Sequence, residues 1–157
     1  MHKKTEDLMF AELLKFSEDG KISLFAETAF LLPSKYVLEL EEKRTPEELY
    51  TAAKKIPEPI IEFLKVKGMK DLELLDFLLE LLEVLGTGNI QVKKFDRDKK
   101  DYQLIIKNSS ANKVGCHRTS GYLATAFSQT LGQKLKCIES QCLSKGAESC
   151  EFIISQE

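Results

Sequence analysis

The last third of the chain gathers the residues best suited to chemistry: Cys116, Cys137, Cys142 and Cys150, with Glu139 among them. Residues 137–150 read Cys-Ile-Glu-Ser-Gln-Cys-Leu-Ser-Lys-Gly-Ala-Glu-Ser-Cys, and Cys116 stands upstream before a helical pattern. Zinc takes four ligands in a tetrahedron from thiolate, imidazole and carboxylate, and a closed set of four protein ligands marks a structural site. Three thiolates and one carboxylate would close such a set. The spacing is not the CxxC of zinc fingers, so spacing alone leaves inert buried thiols as the competing reading. Disulfides are the other use of four cysteines. The opening Met-His-Lys-Lys-Thr-Glu-Asp lacks the apolar core of a secretory signal, which implies a reducing cytoplasm where thiols bind metal or stay free.

The elements that position these residues fall into two parts. Residues 1–85 read as mostly helical. Glu6 to Phe16 has helical spacing and stops at Asp19-Gly20, Lys21 to Phe25 suits a short strand, and Ser34 to Glu42 suits a short helix, with strand as the alternative. Thr45-Pro46-Glu47-Glu48 is a helix-start signature, and Pro57 and Pro59 are expected to break that helix before Ile60 to Val66 resumes it. From Leu72 to Leu85 the acids Glu73, Asp76, Glu80 and Glu83 form one narrow stripe on an otherwise apolar helix. Such a helix must be covered on several sides, by the domain's own sheet as a central core helix or by a second copy in a homodimer. It is too short and too charged to span a bilayer.

Residues 86–157 turn to strands. Gly86-Thr87-Gly88-Asn89 reads as a helix stop rather than a phosphate loop, since no strand precedes it and no Gly-Lys-Ser follows. Ile90 to Phe95 and Tyr102 to Ile106 flank a charged turn as an antiparallel hairpin, with Tyr102, Leu104 and Ile106 on one face. Thr119 to Leu131 is helical and ends at Gly132. Leu135 to Gln141 and Cys150 to Ile154 form a second hairpin that carries most of the candidate ligands. Helices first and antiparallel strands late give an α+β class, N-terminal helices on a late antiparallel sheet, within a single domain of residues 1–157. The formal net charge of -2 and pI near 5.8 lack the footprint of a nucleic-acid binder.

Gly121-Tyr122-Leu123-Ala124, Glu139-Ser140-Gln141-Cys142-Leu143-Ser144-Lys145-Gly146 and Cys150-Glu151-Phe152 together resemble the 4-vinyl reductase domain. That family of hydrocarbon-binding proteins includes the sensor domains of phenol-responsive transcription activators. The match runs from about Gly86 to Ile154 and is looser before it. The resemblance implies a zinc ion held by Cys116, Glu139, Cys142 and Cys150, with Cys137 spare and with Cys137 and His117 as the alternatives. Cys137 and Glu139 share a strand face, so Cys142 joins the set only if a turn or bulge falls at Ser140 to Cys142. It further implies a ligand-binding fold like that of NO-signalling and Golgi-transport proteins, and a small hydrophobic or aromatic ligand bound between sheet and helices.

Phe63, Phe77, Phe95, Tyr102, Tyr122 and Phe127 are the candidate walls of that pocket, although their spacing fits plain core residues equally well. Phenol sensors resemble one another in reading the ring hydroxyl with a histidine and a tryptophan, whereas this chain has no tryptophan and only His2 and His117. The expected role is a cytoplasmic small-molecule sensor with structural zinc, a homodimer that signals through dimerisation or a separate partner. The alternatives are a reductase component acting on vinyl groups, for which the sequence supplies no dinucleotide or iron-sulfur fingerprint, and a dimeric tethering scaffold.

Overall fold

The structure is a computed structural model that describes residues 14–16, 22–24, 27–29, 34–109 and 115–157. It divides into two compact units, residues 1–37 and residues 38–157.

The first unit contains an antiparallel sheet of β1 (Leu14–Phe16), β2 (Ile22–Leu24) and β3 (Glu27–Ala29), in that order. β2 lies within the strand expected at 21–25. β1 corrects the expectation of a helix through Phe16: Leu14 pairs with Leu24 and Phe16 with Ile22. Leu-Lys-Phe alternates as well as it turns, and a short apolar run takes whichever form its neighbours complete. The rest of the expected N-terminal helix lies outside the described residues.

Helix α1 (Ser34–Glu41) is followed by α2 (Pro46–Ala53), α3 (Pro57–Val66) and α4 (Asp71–Leu82). α2 begins as its sequence dictates. The Thr45 hydroxyl accepts from the Glu48 N–H at 3.2 Å, and the Glu48 carboxylate accepts from the Thr45 N–H at 2.8 Å. The two prolines open α3 instead of breaking a helix, because proline lacks an N–H only where the first turn needs none. In α4 the acids Glu73, Asp76 and Glu80 face solvent while Leu74, Leu75, Leu78, Leu79, Leu81 and Leu82 are buried within the chain itself, the central-helix alternative. A π-turn, Glu83–Thr87, ends it with Gly86 at φ 86°, and the Glu83 carboxylate accepts the Ile90 N–H at the start of the next strand.

The second sheet is antiparallel, ordered β4-β5-β7-β6, from β4 (Asn89–Asp96), β5 (Asp101–Lys107), β6 (Leu135–Gln141) and β7 (Cys150–Gln156). One face carries Tyr102, Leu104 and Ile106 of β5, Cys150, Phe152 and Ile154 of β7, and Leu135 and Cys137 of β6, all buried. Helix α5 (His117–Leu131) packs against β6 and against α2, α3 and α4. It is buried on nearly every side from Thr119 to Phe127. Gly121 allows the close approach of α2, since a Cβ there would strike the Tyr50 carbonyl.

β6 is an edge strand, and unpaired edge groups invite association. Here helices cap them. The Ser128 hydroxyl both accepts from the Leu135 N–H and donates to the Leu135 carbonyl, each at 3.1 Å, and the Tyr50 hydroxyl accepts from the Cys137 N–H at 3.5 Å. The observed architecture is helices with a four-stranded antiparallel sheet, the α+β class expected. Among the described residues, no helix is long and apolar enough to cross a membrane.

Candidate metal centre

Three segments converge on one spot. Glu139 and Cys150 lie diagonally on the buried face of neighbouring strands, Glu139 being the register partner of Phe152 and Cys150 standing two residues before it. The β6–β7 register shifts between Glu139 and Gln141, the bulge the sequence required. It brings Cys142 back toward the same side. A tight turn follows, with Lys145 and Ala147 donating N–H groups to the Cys142 carbonyl and Gly146 at φ 90°. Cys116 arrives as the residue that caps α5.

Ligand atoms of Cys116, Glu139, Cys142 and Cys150 all lie within 4.8 Å of one another, so this cluster can hold a metal ion. The sulfurs of Cys116 and Cys150 are 3.3 Å apart and those of Cys150 and Cys142 3.9 Å. Bonds of about 2.3 Å at a tetrahedral angle would set sulfurs about 3.8 Å apart, so the spacing fits a zinc-sized ion after small shifts. The three cysteines are buried and Glu139 is half-buried. The Cys116 N–H donates to both Glu139 oxygens, at 3.2 and 3.1 Å, which fixes the carboxylate beside the sulfurs.

The electrostatics also suit a cation. The hydrogen bond from the Cys116 thiol holds the Cys150 thiol down at about 6, with help from the Leu143 N–H at 3.5 Å. The same bond, with burial, pushes Cys116 up, and burial raises Cys142. Burial and mutual repulsion thus oppose three thiolates on their own, and a bound dication would offset both.

Sequence reasoning missed the supporting groups. Gly115, at φ 104°, has no side chain where a Cβ would lie 2.8 Å from Glu139 Oε2. The Ser109 hydroxyl lies 3.6 Å from the Cys116 sulfur and the Ser144 hydroxyl 3.0 Å from that of Cys142. A glycine directly before Cys116 and a serine two residues after Cys142 were the only signals. Cys137 and His117, the alternative ligands, are not among the four clustered residues. Cys137 lies buried on the Glu139 face of β6, and burial raises its thiol.

Residues 109–156 match the profile of the 4-vinyl reductase domain. The chain carries a 4-vinyl reductase domain. Its matched span begins at Ser109 and holds all four clustered residues. The chain is 31% identical over 91 residues to an uncharacterized protein of Methanocaldococcus jannaschii, 54% of this chain and 51% of that one, so it spans about half the length of that relative. Its fold is similar to the phenol-responsive sensory domain of the transcription activator PoxR solved with phenol, with a TM-score of 0.76, 17% identity and coverage of 99% of this chain and 91% of that chain. It is similar to a vinyl-4-reductase family protein of Methanocaldococcus jannaschii, with a TM-score of 0.58, 14% identity and coverage of 82% and 84%. It is also similar to trafficking protein particle complex subunit 3 of Naegleria fowleri, solved covalently bound to palmitic acid, with a TM-score of 0.58, 12% identity and coverage of 79% and 90%. At these identities the likeness is one of fold.

The six aromatic residues expected to wall a pocket divide in this 4-vinyl reductase-domain chain. Phe95, Tyr102 and Phe127 form one cluster, with ring centroids 4.9 Å apart for Phe95–Tyr102, 5.3 Å for Tyr102–Phe127 and 6.4 Å for Phe95–Phe127. Tyr122 stands apart from it, buried, its hydroxyl donating to the Leu78 carbonyl at 3.2 Å. Phe63 and Phe77 are half-buried on α3 and α4, with the Lys67 ammonium 5.6 Å from the Phe63 ring centre.

Proposed function

We propose that this chain binds a small hydrophobic molecule and reports its presence, and that a zinc ion held by Cys116, Glu139, Cys142 and Cys150 staples the frame around the binding site. The observation that carries the reading is the fold, which follows a phenol-responsive sensory domain over 99% of this chain. The zinc would lock β6, β7 and the start of α5 to one another. With four protein ligands it leaves no open position, so its role is structural. In zinc-finger peptides such binding contributes on the order of ten kcal/mol to folding, and a domain with its own core needs less.

The aromatic cluster at Phe95, Tyr102 and Phe127 is the part of the expected wall best placed to meet a ligand. Phe95 stays 37% exposed on β4, which gives access, while Tyr102 and Phe127 are fully buried behind it. The Tyr102 hydroxyl donates to Gln133 at 3.0 Å and the Tyr122 hydroxyl to Leu78, so neither offers its proton to a ligand. A chain without tryptophan and with these protons engaged favours an apolar ligand over phenol itself. Tyr122, Phe63 and Phe77 support the helical layer behind the site. The output passes through a homodimer or a separate partner in the cytoplasm.

Native mass spectrometry of the protein purified without added metal tests the reading in one spectrum. One zinc per chain, a dimer and a co-purified apolar molecule are the expected result. A metal-free, ligand-free protein that binds no hydrophobic compound from a panel of alkyl and aromatic probes would refute it.

A further inference from the structure

A groove of about 540 Å³ opens beside the metal centre, between the first turn of α2, the first turn of α5 and the edge strand β6. None of the six aromatic wall residues lines it. Its floor carries a buried hydroxyl: Ser120 is 2% exposed, and its Oγ has no hydrogen-bond partner at normal geometry. The group facing that hydroxyl is the Cys137 thiol, a weak acceptor at best. A buried donor left in this state costs about 1–3 kcal/mol unless something takes its hydrogen bond.

The other polar groups of the groove point to the same kind of guest. The Tyr50 hydroxyl accepts from the Cys137 N–H, and its proton has no acceptor among the described residues. The His117 imidazole and the ammonium groups of Lys136 and Lys145 line the groove as well, and neither lysine has a carboxylate partner among the described residues. Of the three lining carboxylates two are engaged, Glu139 with the Cys116 N–H and Glu157 with Lys54 at 3.9 Å. The third, Glu47, sits in the first turn of α2, where it favours the helix N-terminus. What remains uncommitted is two hydroxyl donors, an imidazole and two cations, walled by Pro46 and the half-exposed Ile138.

We propose that this groove is a second binding site, separate from the aromatic cluster, for a small carboxylic acid with an apolar body. The carboxylate accepts from Tyr50 and Ser120 between Lys136 and Lys145, and the apolar body lies along Pro46 and Ile138. Because Glu139 lines the groove and belongs to the metal cluster, an occupant lies within one side chain of the staple. The proposal stands without the zinc and without the hydrophobic ligand.

Amide NMR spectra of the full chain, titrated with sodium benzoate and sodium hexanoate and with the neutral benzyl alcohol and hexanol, test it. The expected result is a saturable shift of the His117, Ser120, Cys137 and Ile138 amides with the carboxylates and little response to the alcohols. Tyr50→Phe removes a hydrogen bond to a charged group and should weaken binding about tenfold. Lys136→Gln changes an exposed rim charge and should weaken it a few-fold without disturbing the fold. No saturable shift with either carboxylate would overturn the proposal. So would shifts centred on Phe95, Tyr102 and Phe127, equal binding of the alcohols, or full affinity in Lys136→Gln and Tyr50→Phe together.

Discussion

Gly115→Ala separates backbone strain from metal binding. Gly115 adopts φ 104°, where a side chain is strained by about 1–3 kcal/mol. The new Cβ would also fall 2.8 Å from Glu139 Oε2, inside contact distance, with the His117 ring 3.4 Å away on the same side. The carboxylate must swing off, losing the hydrogen bonds it accepts from the Cys116 N–H at 3.2 and 3.1 Å. A hydrogen bond to a charged group contributes about 1.5–3 kcal/mol. The strain weakens the fold with or without metal, so only the carboxylate term enters the affinity, and zinc should bind about ten- to a hundredfold more weakly. Gly68→Ala is the control, since Gly68 has φ 93° and nothing within 4 Å of the added Cβ. Zinc affinity is read by competition with a chromophoric chelator, and strain by thermal melting of the metal-free proteins. Gly68→Ala should lower the melting point and leave zinc affinity intact. If Gly115→Ala behaves the same way, Glu139 is not a ligand held by this contact.

Three further outcomes follow from the same contacts. Cys142→Ser should abolish stoichiometric zinc in elemental analysis whereas Cys137→Ser should retain it, which separates the cluster from the spare thiol. Gly121→Ala drives a methyl into the Tyr50 carbonyl. It should destabilise by about 1–3 kcal/mol less the roughly 1 kcal/mol of helix propensity regained, measurable by urea unfolding. Phe127→Ala empties the fully buried centre of the aromatic cluster and should cost about 3–5 kcal/mol by the same measurement.

What could be read from the sequence follows the range over which each signal acts. Thr45-Pro46-Glu47-Glu48 fixes a helix start through bonds spanning three residues, and the structure has the capping box there. Tyr102, Leu104 and Ile106 alternate, and all three are buried on one sheet face. Gly132 ends α5 in the left-handed conformation its position called for. The segment around Leu14 to Phe16 satisfies both periods, so only its pairing with Ile22 to Leu24 decides it. Pro57 and Pro59 are compatible with a break or a first turn, and the packing of Ile60, Ile61 and Leu64 into the core selects the turn.

At the metal centre the ligand types were legible and their supports were not. The bulge after Glu139 follows from a parity argument along one strand. The Cys116 N–H on the Glu139 carboxylate and the Tyr50 hydroxyl against β6 join residues 23 and 87 positions apart, beyond any local pattern.

The central claim is that Cys116, Glu139, Cys142 and Cys150 together hold one zinc ion. X-ray absorption at the zinc edge of the zinc-loaded chain addresses it directly. The account predicts a four-coordinate shell of three sulfurs at about 2.3 Å and one oxygen at about 2.0–2.2 Å. A shell of four sulfurs, with Cys137 in place of Glu139, or a folded chain that takes up no zinc, would contradict it.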